Sequence, residues 1–168
     1  NTEALIKLTD EGNEIHPDPR VLSVIQDKLL QKRCIEDAGL STPAFIELKN
    51  DANFKEFGFP LVQKTRKGGY DGKGVLVMKD ESVMAEKLPG ECMLEKMVDL
   101  KMELGVMVAR DQQGGIISYP VTEMTFDDRS NILDLCIVPA RISASLESKA
   151  RDLAEKTIGA LGGVGIFG

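Results

Sequence analysis

The sequence predicts a mixed α/β chain of the α+β kind, with an antiparallel sheet and a small subdomain built around a glycine loop. Helix caps and helical apolar stripes mark residues 18–39 and 146–161. Short β-rich runs separated by turns fill residues 92–138, which is a pattern typical of antiparallel strands. A loop rich in glycine and basic residues, 64–74, joins two further apolar runs. Together these three features indicate the fold class.

The first half of the chain predicts helices and short strands in succession. Asp18 is suited to be an N-cap with Pro19 at the first helical position, which starts a helix that continues to Ile25. Asp27 starts a second helix, and Gly39 ends it. After these we expect a strand, a helix, two strands that flank the glycine loop and a short helix, at residues 44–48, 51–57, 59–63, 75–78 and 81–87.

The second half of the chain predicts a β-meander followed by a helix. A helix with one apolar face is expected from Leu146 to Leu161. Gly162 and Gly163 then end this helix before a short apolar strand. The expected strands of the meander cover residues 92–98, 102–109, 116–123 and 132–138.

Composition limits the classes of function. The chain has 168 residues, of which 42% are hydrophobic and 29% are charged, and these values are typical of a globular domain with one core. Its net charge of −6 weighs against a nucleic-acid partner. Neither a signal-peptide pattern nor an apolar run of roughly 18 residues is found. We therefore expect a cytoplasmic protein that binds neither nucleic acid nor a membrane.

The residues that most often hold metals are sparse in this sequence. The three cysteines, Cys34, Cys92 and Cys136, are odd in number, far apart and embedded in apolar stretches. They are expected to be reduced core residues and not a disulfide framework or a metal site. The single histidine, His16, lies in a turn without a second histidine nearby, so we assign no metal ligands.

Backbone freedom and positive charge coincide in the glycine loop. Four of the seven residues from 68 to 74 are glycine, which allows backbone N–H groups to approach an anion without obstruction by a Cβ atom. The basic residues Lys64, Arg66, Lys67 and Lys73 accompany them. This combination favours polyphosphate binding. A solvated turn with incidental lysines is the alternative.

Two better-known phosphate motifs do not apply to this chain. In a Walker A loop, Ser or Thr would follow Gly72 and Lys73, but Gly74 stands there. The final six residues, 163–168, match the letters of the dinucleotide-binding fingerprint. They follow a predicted helix instead of a strand, so we interpret them as a helix stop and a strand.

Two carboxylates stand in the strand-rich region where apolar residues are expected. Period-2 alternation places Glu95 on one face with Met93 and Met97, and Glu103 opens the next predicted strand. A carboxylate on an apolar face is costly unless it is paired. A structural salt bridge or an exposed edge strand would explain it. The functional alternative is a cleft in which both acids accept hydrogen bonds from the amine and hydroxyl groups of a ligand.

The order of these motifs resembles the ATP-grasp superfamily over essentially the whole chain. Its most specific element is the loop Gly-Gly-Tyr-Asp-Gly-Lys-Gly at 68–74, and Pro-Ala-Arg-Ile-Ser at 139–143 supports the same subfamily. Within the superfamily the chain is most similar to 5-(carboxyamino)imidazole ribonucleotide synthase, the ATPase subunit of phosphoribosylaminoimidazole carboxylase. The resemblance implies a partial ATP-grasp fold.

The resemblance also implies a role for each matching residue. Lys28 and Lys64 would contact ATP phosphates, and residues 68–74 would cover them as a lid. Residues 95–98 would read the edge of adenine through backbone groups, and Glu103 would accept hydrogen bonds from ribose. No catalytic residue is assigned. The implied ATP-binding set is Lys28, Lys64, Gly68, Gly69, Tyr70, Asp71, Gly72, Lys73, Gly74, Glu95, Lys96, Met97, Val98 and Glu103.

For the whole protein the resemblance implies ATP-dependent carboxylation of aminoimidazole ribonucleotide with bicarbonate, a step of de novo purine biosynthesis. ATP would activate bicarbonate as carboxyphosphate, and a homodimer is expected. Residues 1–27 would be the tail end of an N-terminal nucleotide-fold domain, and residues 28–168 an ATP-grasp domain truncated before its metal-binding C-terminal part. Magnesium ligands are therefore expected beyond Gly168, and the isolated fragment is expected to be inactive.

One position departs from the family pattern, and two other functions stay open. Where the family commonly has Glu-Asn-x-His, this chain has Glu-Met-Thr-Phe, so Phe126 replaces the histidine expected near the nucleotide. The alternatives are an ATP-grasp ligase with another acceptor and a nucleotide-binding module without catalysis. We further expect the glycine loop to be mobile without nucleotide, and Glu95 and Glu103 to open onto one cleft with Lys28 and Lys64.

Overall fold

The computed structural model describes residues 1–69, 73–127 and 132–168. These residues form five α-helices, one 3-10 helix (Glu81–Glu86) and ten strands. The α-helices are α1 (Thr2–Asp10), α2 (Pro19–Ile25), α3 (Lys28–Asp37), α4 (Ala52–Phe57) and α5 (Ala144–Leu161). The strands are β1 (Phe45–Leu48), β2 (Leu61–Thr65), β3 (Val75–Met78), β4 (Cys92–Lys96), β5 (Glu103–Gly105), β6 (Val108–Arg110), β7 (Ile116–Ser118), β8 (Thr122–Phe126), β9 (Leu133–Ile137) and β10 (Gly165–Phe167).

The first sheet has the order β1-β4-β2-β3, and every neighbouring pair is antiparallel. One face of this sheet carries the hydrophobic core. Phe54 from α4 packs there with Leu61, Met78 and Leu94, and all four are at most 1% exposed. This core anchors the strands on both sides of the glycine loop.

The opposite face of the first sheet carries charged side chains. Lys64 lies opposite Met93 in the pairing of β2 with β4, and Val62 lies opposite Glu95. Because side chains alternate along a strand, these four share the face that is turned away from the core. Helix α3 lies against β1 and brings a further lysine, Lys32, to this face.

The strand-rich half forms two further sheets, with the orders β10-β6-β7 and β5-β8-β9. The pairing is antiparallel throughout, as the sequence predicts. The prediction of a single β-meander is wrong, because the predicted strands 102–109 and 116–123 each divide between the two sheets. In the second case Pro120 has no N–H group to donate to a ladder, and the chain leaves β7 just before it. Helix α5 packs against β6 and β7.

Local capping signals explain most of the helix boundaries. Asp18 accepts a hydrogen bond from the Arg20 N–H group at the start of α2, as expected of an N-cap. Gly162 ends α5 in the left-handed conformation with φ 74°, and β10 follows it as predicted. Helix α1 is not predicted from the sequence. Asn1 caps it by accepting a hydrogen bond from the Glu3 N–H group.

The cysteines confirm only part of the sequence interpretation. Cys92 is buried in β4, and Cys34 is half-buried. Cys136 is exposed, so its assignment to the core is wrong. It lies in β9 at the edge of the third sheet, where Leu133 and Leu135 are exposed as well. Among the described residues, no helix has the length and apolar character needed to cross a membrane.

Candidate functional site

The centre of the candidate site is a buried carboxylate between two lysines. Glu95 is 6% exposed, and its Oε2 atom accepts a hydrogen bond from Lys64 Nζ at 2.6 Å. Its Oε1 atom accepts one from Lys32 Nζ at 2.7 Å. Burial would raise the pKa of Glu95, but the hydrogen bonds from Lys32 and Lys64 lower this pKa below its ordinary value. The carboxylate is therefore ionised and carries two positive partners.

Lys32 is the site residue that sequence reasoning missed. Its side chain is 17% exposed, and Nζ also donates to Thr42 Oγ1 at 2.6 Å. Lys28 stands four positions earlier in α3, so both lysines lie on one side of the helix. That spacing was the available signal, because it places a second cation beside the predicted phosphate ligand.

Lys28 connects α3 with the glycine loop. Its Nζ atom donates to the Gly68 carbonyl at 2.9 Å, and its backbone N–H donates to the Arg66 carbonyl at 2.8 Å. The first turn of α3 is thereby held beside the start of the loop. The structure thus brings one predicted phosphate ligand, Lys28, to the predicted lid.

Arg66 has a structural role at the base of the loop. Its guanidinium pairs with Asp27 at 2.6 Å and with Glu47 at 3.0 Å. Burial would raise the pKa of Asp27, but the Arg66 guanidinium and the N–H groups of Leu30 and Leu29 lower it below its ordinary value. Because Arg66 is committed to two carboxylates, it contributes less to anion binding than its place in the basic loop suggests.

The two limbs of the glycine loop approach too closely for any side chain. A Cβ atom on Gly74 would lie 2.5 Å from Gly69 Cα and 2.5 Å from Thr65 Oγ1. One on Gly69 would lie 2.8 Å from Gly74 Cα. Thr65 Oγ1 is buried here without a hydrogen-bond partner among the described residues. Both glycines are therefore required by close packing.

Part of the predicted phosphate-binding set lies outside the described residues. These positions are Tyr70, Asp71 and Gly72. The mobility expected for residues 67–74 includes them and stays a prediction. Lys73 is described and exposed.

The three predicted adenine-binding residues after Glu95 differ in the surroundings of their side chains. The Lys96 side chain points to the core face, where Nζ donates to the Gly58 carbonyl at 2.7 Å and lies 5.0 Å from the centre of the Phe57 ring. Met97 and Val98 are exposed and follow the last paired residues of β4. Of the predicted adenine-binding strand, this geometry leaves the backbone at 97 and 98 most accessible to a ligand.

Exposed apolar side chains lie beside the charged cluster. Val75 pairs with Lys64 and Val77 pairs with Val62, so the valines share the face of Lys64 and Glu95. Val75 is 38% exposed and Val77 is 48% exposed. An open apolar surface next to two lysines and a glycine loop suits a ligand with a flat ring and an anionic tail.

Glu103 and Phe126 lie in a groove on the third sheet, so the single cleft that the sequence predicts for Glu95, Glu103, Lys28 and Lys64 is not observed among the described residues. Glu103 is exposed in β5 of the third sheet, opposite Met124. The groove has a volume of about 320 Å³, and Phe126 contributes to its wall. Among the described residues that line this groove, Lys28, Lys64 and Glu95 are not included. The remaining lining residues are Leu100, Lys101, Met102, Met124 and Asp127.

The described side chains provide no group of three metal ligands. Among residues 1–69, 73–127 and 132–168, no three His, Cys, Asp or Glu side chains form a group that could hold one. The carboxylate at the centre of the site is already held by two lysines. We therefore assign no magnesium ligand and derive no step through a metal.

Comparison with known proteins decides the family. The family model of the ATP-grasp domain, compared with the sequence of this chain, matches residues 33–168. The chain belongs to the ATP-grasp domain family. This ATP-grasp chain is 37% identical over 153 residues to N5-carboxyaminoimidazole ribonucleotide synthase of Bacillus subtilis, with 86% of the chain and 40% of the relative covered. It is 34% identical over 165 residues to phosphoribosylaminoimidazole carboxylase of Saccharomyces cerevisiae, with 92% of the chain and 28% of the relative covered.

Solved structures agree with the ATP-grasp assignment. N5-carboxyaminoimidazole ribonucleotide synthetase from Thermotoga maritima has a TM-score of 0.86 and 40% identity, and the match covers 99% of the chain and 43% of that structure. The Aspergillus clavatus synthase in complex with ADP and 5-aminoimidazole ribonucleotide has a TM-score of 0.86 and 27% identity, with 99% and 45% covered. The chain spans less than half the length of these relatives.

Proposed function

We propose that this chain supplies the ATP-binding part of a ligase that carboxylates aminoimidazole ribonucleotide with bicarbonate in purine biosynthesis. The observation that carries the proposal is the Lys32–Glu95–Lys64 cluster beside a glycine loop and an open valine surface. The relatives named for this reaction, and the similar structure that holds ADP and aminoimidazole ribonucleotide, support it.

Phosphate binding is assigned to the lysines and the loop. Lys64 reaches the open face of the sheet, and Lys28 already contacts the loop at Gly68. Their charges would offset the negative charge of a polyphosphate, and the N–H groups of residues 68–74 would bind its oxygens. Such positioning and charge compensation account for most of the catalysis in phosphoryl transfer.

The adenosine moiety is assigned to the edge of the first sheet and the neighbouring groove. Val62 and Val77 offer an apolar surface for the purine, and the backbone at 97 and 98 would read its edge. Glu103 would accept hydrogen bonds from ribose hydroxyls, with Phe126 in the same groove. Hydrogen bonds to a charged acceptor contribute roughly 1.5–3 kcal/mol each.

In the proposed reaction, an oxygen of bicarbonate attacks the γ-phosphorus of ATP, and the bond to the ADP oxygen breaks. The carboxyphosphate formed then transfers its carboxyl group to the amine of aminoimidazole ribonucleotide, which loses a proton as phosphate departs. In these reaction steps, the role of this chain would be to bind ATP and to orient its γ-phosphate. The acceptor and the metal would be bound elsewhere in the whole protein.

Several properties of the whole protein belong to the same proposal. Residues 1–27 would end a preceding nucleotide-fold domain, and residues 28–168 would form the ATP-grasp domain up to its metal-binding part. The protein would be a cytoplasmic homodimer. The match covers only 28% and 40% of two relatives, and this supports the presence of further domains in the whole protein.

Calorimetric titration with ATP tests the nucleotide site. We expect Lys64→Met and Glu103→Ala to weaken binding by about tenfold or more, since each loses a charged hydrogen bond. Lys55→Met is the matched control, because Lys55 is exposed in α4 on the core side of the first sheet. An unchanged dissociation constant for Glu103→Ala would show that the ribose contact is misassigned.

Phosphate release tests the reaction in a protein that carries this chain at the full length of its relatives. Turnover that requires both bicarbonate and aminoimidazole ribonucleotide supports the proposal. Turnover that depends on another acceptor indicates a different ATP-grasp ligase. Tight ATP binding without turnover indicates a nucleotide-binding module.

A further inference from the structure

The two oxygens of Glu95 are divided between two lysines from different elements. Lys64 in β2 holds Oε2, and Lys32 in α3 holds Oε1. The Glu95 side chain is 7% exposed, so water can replace little of either contact. Among the described residues, the charged groups that face Glu95 are these two lysines, while the neighbouring strands β1 and β2 present Phe45 and Val62 opposite it.

The two lysines differ in how tightly they are held. Lys32 has a second acceptor, Thr42 Oγ1, at 2.6 Å, and its side chain is 17% exposed. Lys64 has Glu95 as its one partner among the described residues, and its side chain is 28% exposed. Lys64 is thus the more accessible lysine and Lys32 the anchored one.

A nucleotide phosphate that recruits Lys64 must compete with Glu95 for it. If Lys64 were the only cation on Glu95, its departure would leave a buried carboxylate without a partner, which is strongly unfavourable. Because Lys32 remains on the other oxygen, the carboxylate keeps a counter-charge when Lys64 leaves.

We infer that Lys32 is a positioning residue for nucleotide binding: it neutralises Glu95 so that Lys64 can transfer from Glu95 to a phosphate oxygen of the nucleotide. This inference rests on the proposed function. Lys32 itself does not contact the nucleotide, and Glu95 acts on the nucleotide only through Lys64.

The test is calorimetric titration of ATP into five chains: unmodified, Lys32→Met, Lys32→Arg, Glu95→Gln and the double variant Lys32→Met/Glu95→Gln. We expect Lys32→Met to weaken binding about tenfold or more, because Lys64 becomes the sole counter-ion of Glu95. In the double variant the carboxylate is neutral and Lys64 is free, so most of this loss should disappear. Lys32→Arg, which keeps the charge, should bind within about threefold of the unmodified chain.

A pH series provides a readout that a merely structural role would not change. Loss of Lys32 raises the pKa of Glu95, so mild acid protonates the carboxylate in Lys32→Met and releases Lys64. The ratio of the dissociation constants of Lys32→Met and the unmodified chain should therefore decrease as the pH is lowered. The ratio cancels the protonation of the nucleotide itself.

Several outcomes would overturn the inference. It fails if Lys32→Met binds normally, or if the double variant is as weak as Lys32→Met. It also fails if Glu95→Gln alone abolishes binding, since Glu95 would then contact the nucleotide directly. Should Lys32→Met not fold, the double variant is compared with Glu95→Gln, and equal affinities are expected. If the unmodified chain does not bind ATP, the proposed function fails first and this inference falls with it.

Discussion

The Arg66 guanidinium lies against the Asp27 carboxylate, with Nη2 at 2.6 Å from Oδ2 and Nε at 3.1 Å from the same oxygen. Asp27 is 1% exposed, and it also accepts hydrogen bonds from the N–H groups of Leu29 and Leu30 in the first turn of α3. One carboxylate therefore caps the helix that carries Lys28 and Lys32, and joins this helix to the end of β2.

Replacing Asp27 should destabilise the fold strongly. We expect Asp27→Ala to lower the free energy of unfolding by about 3 kcal/mol or more, because it removes the cap and leaves the Arg66 cation without its main partner. Urea denaturation followed by circular dichroism measures this. The control is Asp51→Ala, since Asp51 makes no side-chain cap bond and loses only an exposed ion pair with Lys87, which contributes little to stability. A comparable loss in the control would contradict the special role of Asp27.

Acid should weaken the fold through Glu95. Its pKa is lowered in the folded chain from an ordinary value of 4.5, so the unfolded chain binds the proton more readily. The stabilisation is fully present above that ordinary value and is lost as the pH decreases towards the folded pKa. Glu95→Gln should therefore show a shallower decrease in the free energy of unfolding below the ordinary pKa. Parallel curves for the two chains would rule out this contribution.

The close approach within the glycine loop should make Gly74 intolerant of substitution. We expect Gly74→Ala to shift the loop limbs apart, because the new Cβ would meet Gly69 Cα and Thr65 Oγ1 at 2.5 Å. Urea midpoints should decrease by the equivalent of about 1–3 kcal/mol, and ATP affinity should decrease with them. An alanine variant that keeps both values would show that the loop accommodates a methyl group without moving.

Gly159 provides the opposite prediction and a matched glycine-to-alanine control. It lies in α5, and the one described atom outside the helix that a Cβ there would meet is Ile116 Cδ1 at 3.7 Å, an ordinary van der Waals distance. Gly159→Ala should raise the free energy of unfolding by roughly 0.5–1 kcal/mol, since alanine loses less backbone freedom in a helix. A lower melting temperature for this variant would disagree with the helix-propensity argument.

Features encoded by neighbouring residues could be predicted from the sequence. Asp18, Asp27 and Gly162 act on backbone groups within a few positions, and the structure confirms the helix boundaries that they indicate. The pairing of Lys64 with Glu95 follows from strand alternation once two adjacent strands are assumed.

Features decided by distant contacts could not be predicted. Lys32 and Glu95 are 63 positions apart, and no local pattern indicates that α3 brings Lys32 to the carboxylate of Glu95. The division of residues 102–109 between two sheets depends on which partners Glu103 and Val108 find, Met124 and Ser118 respectively. The exposure of Cys136 likewise depends on what covers β9, which composition does not reveal.

The side chains of Glu95 and Lys96 point to opposite faces of the first sheet, and this favours the observed register of β4 over a shifted one. A one-residue slip of β4 would turn Glu95 into the apolar core with Phe54 and Leu61, and would place Lys96 beside Lys64 without a carboxylate between them. Both changes are unfavourable, one through an unpaired buried charge and the other through repulsion of like charges. The same two adjacent residues that shape the binding face thus discriminate against misaligned sheets while the chain folds.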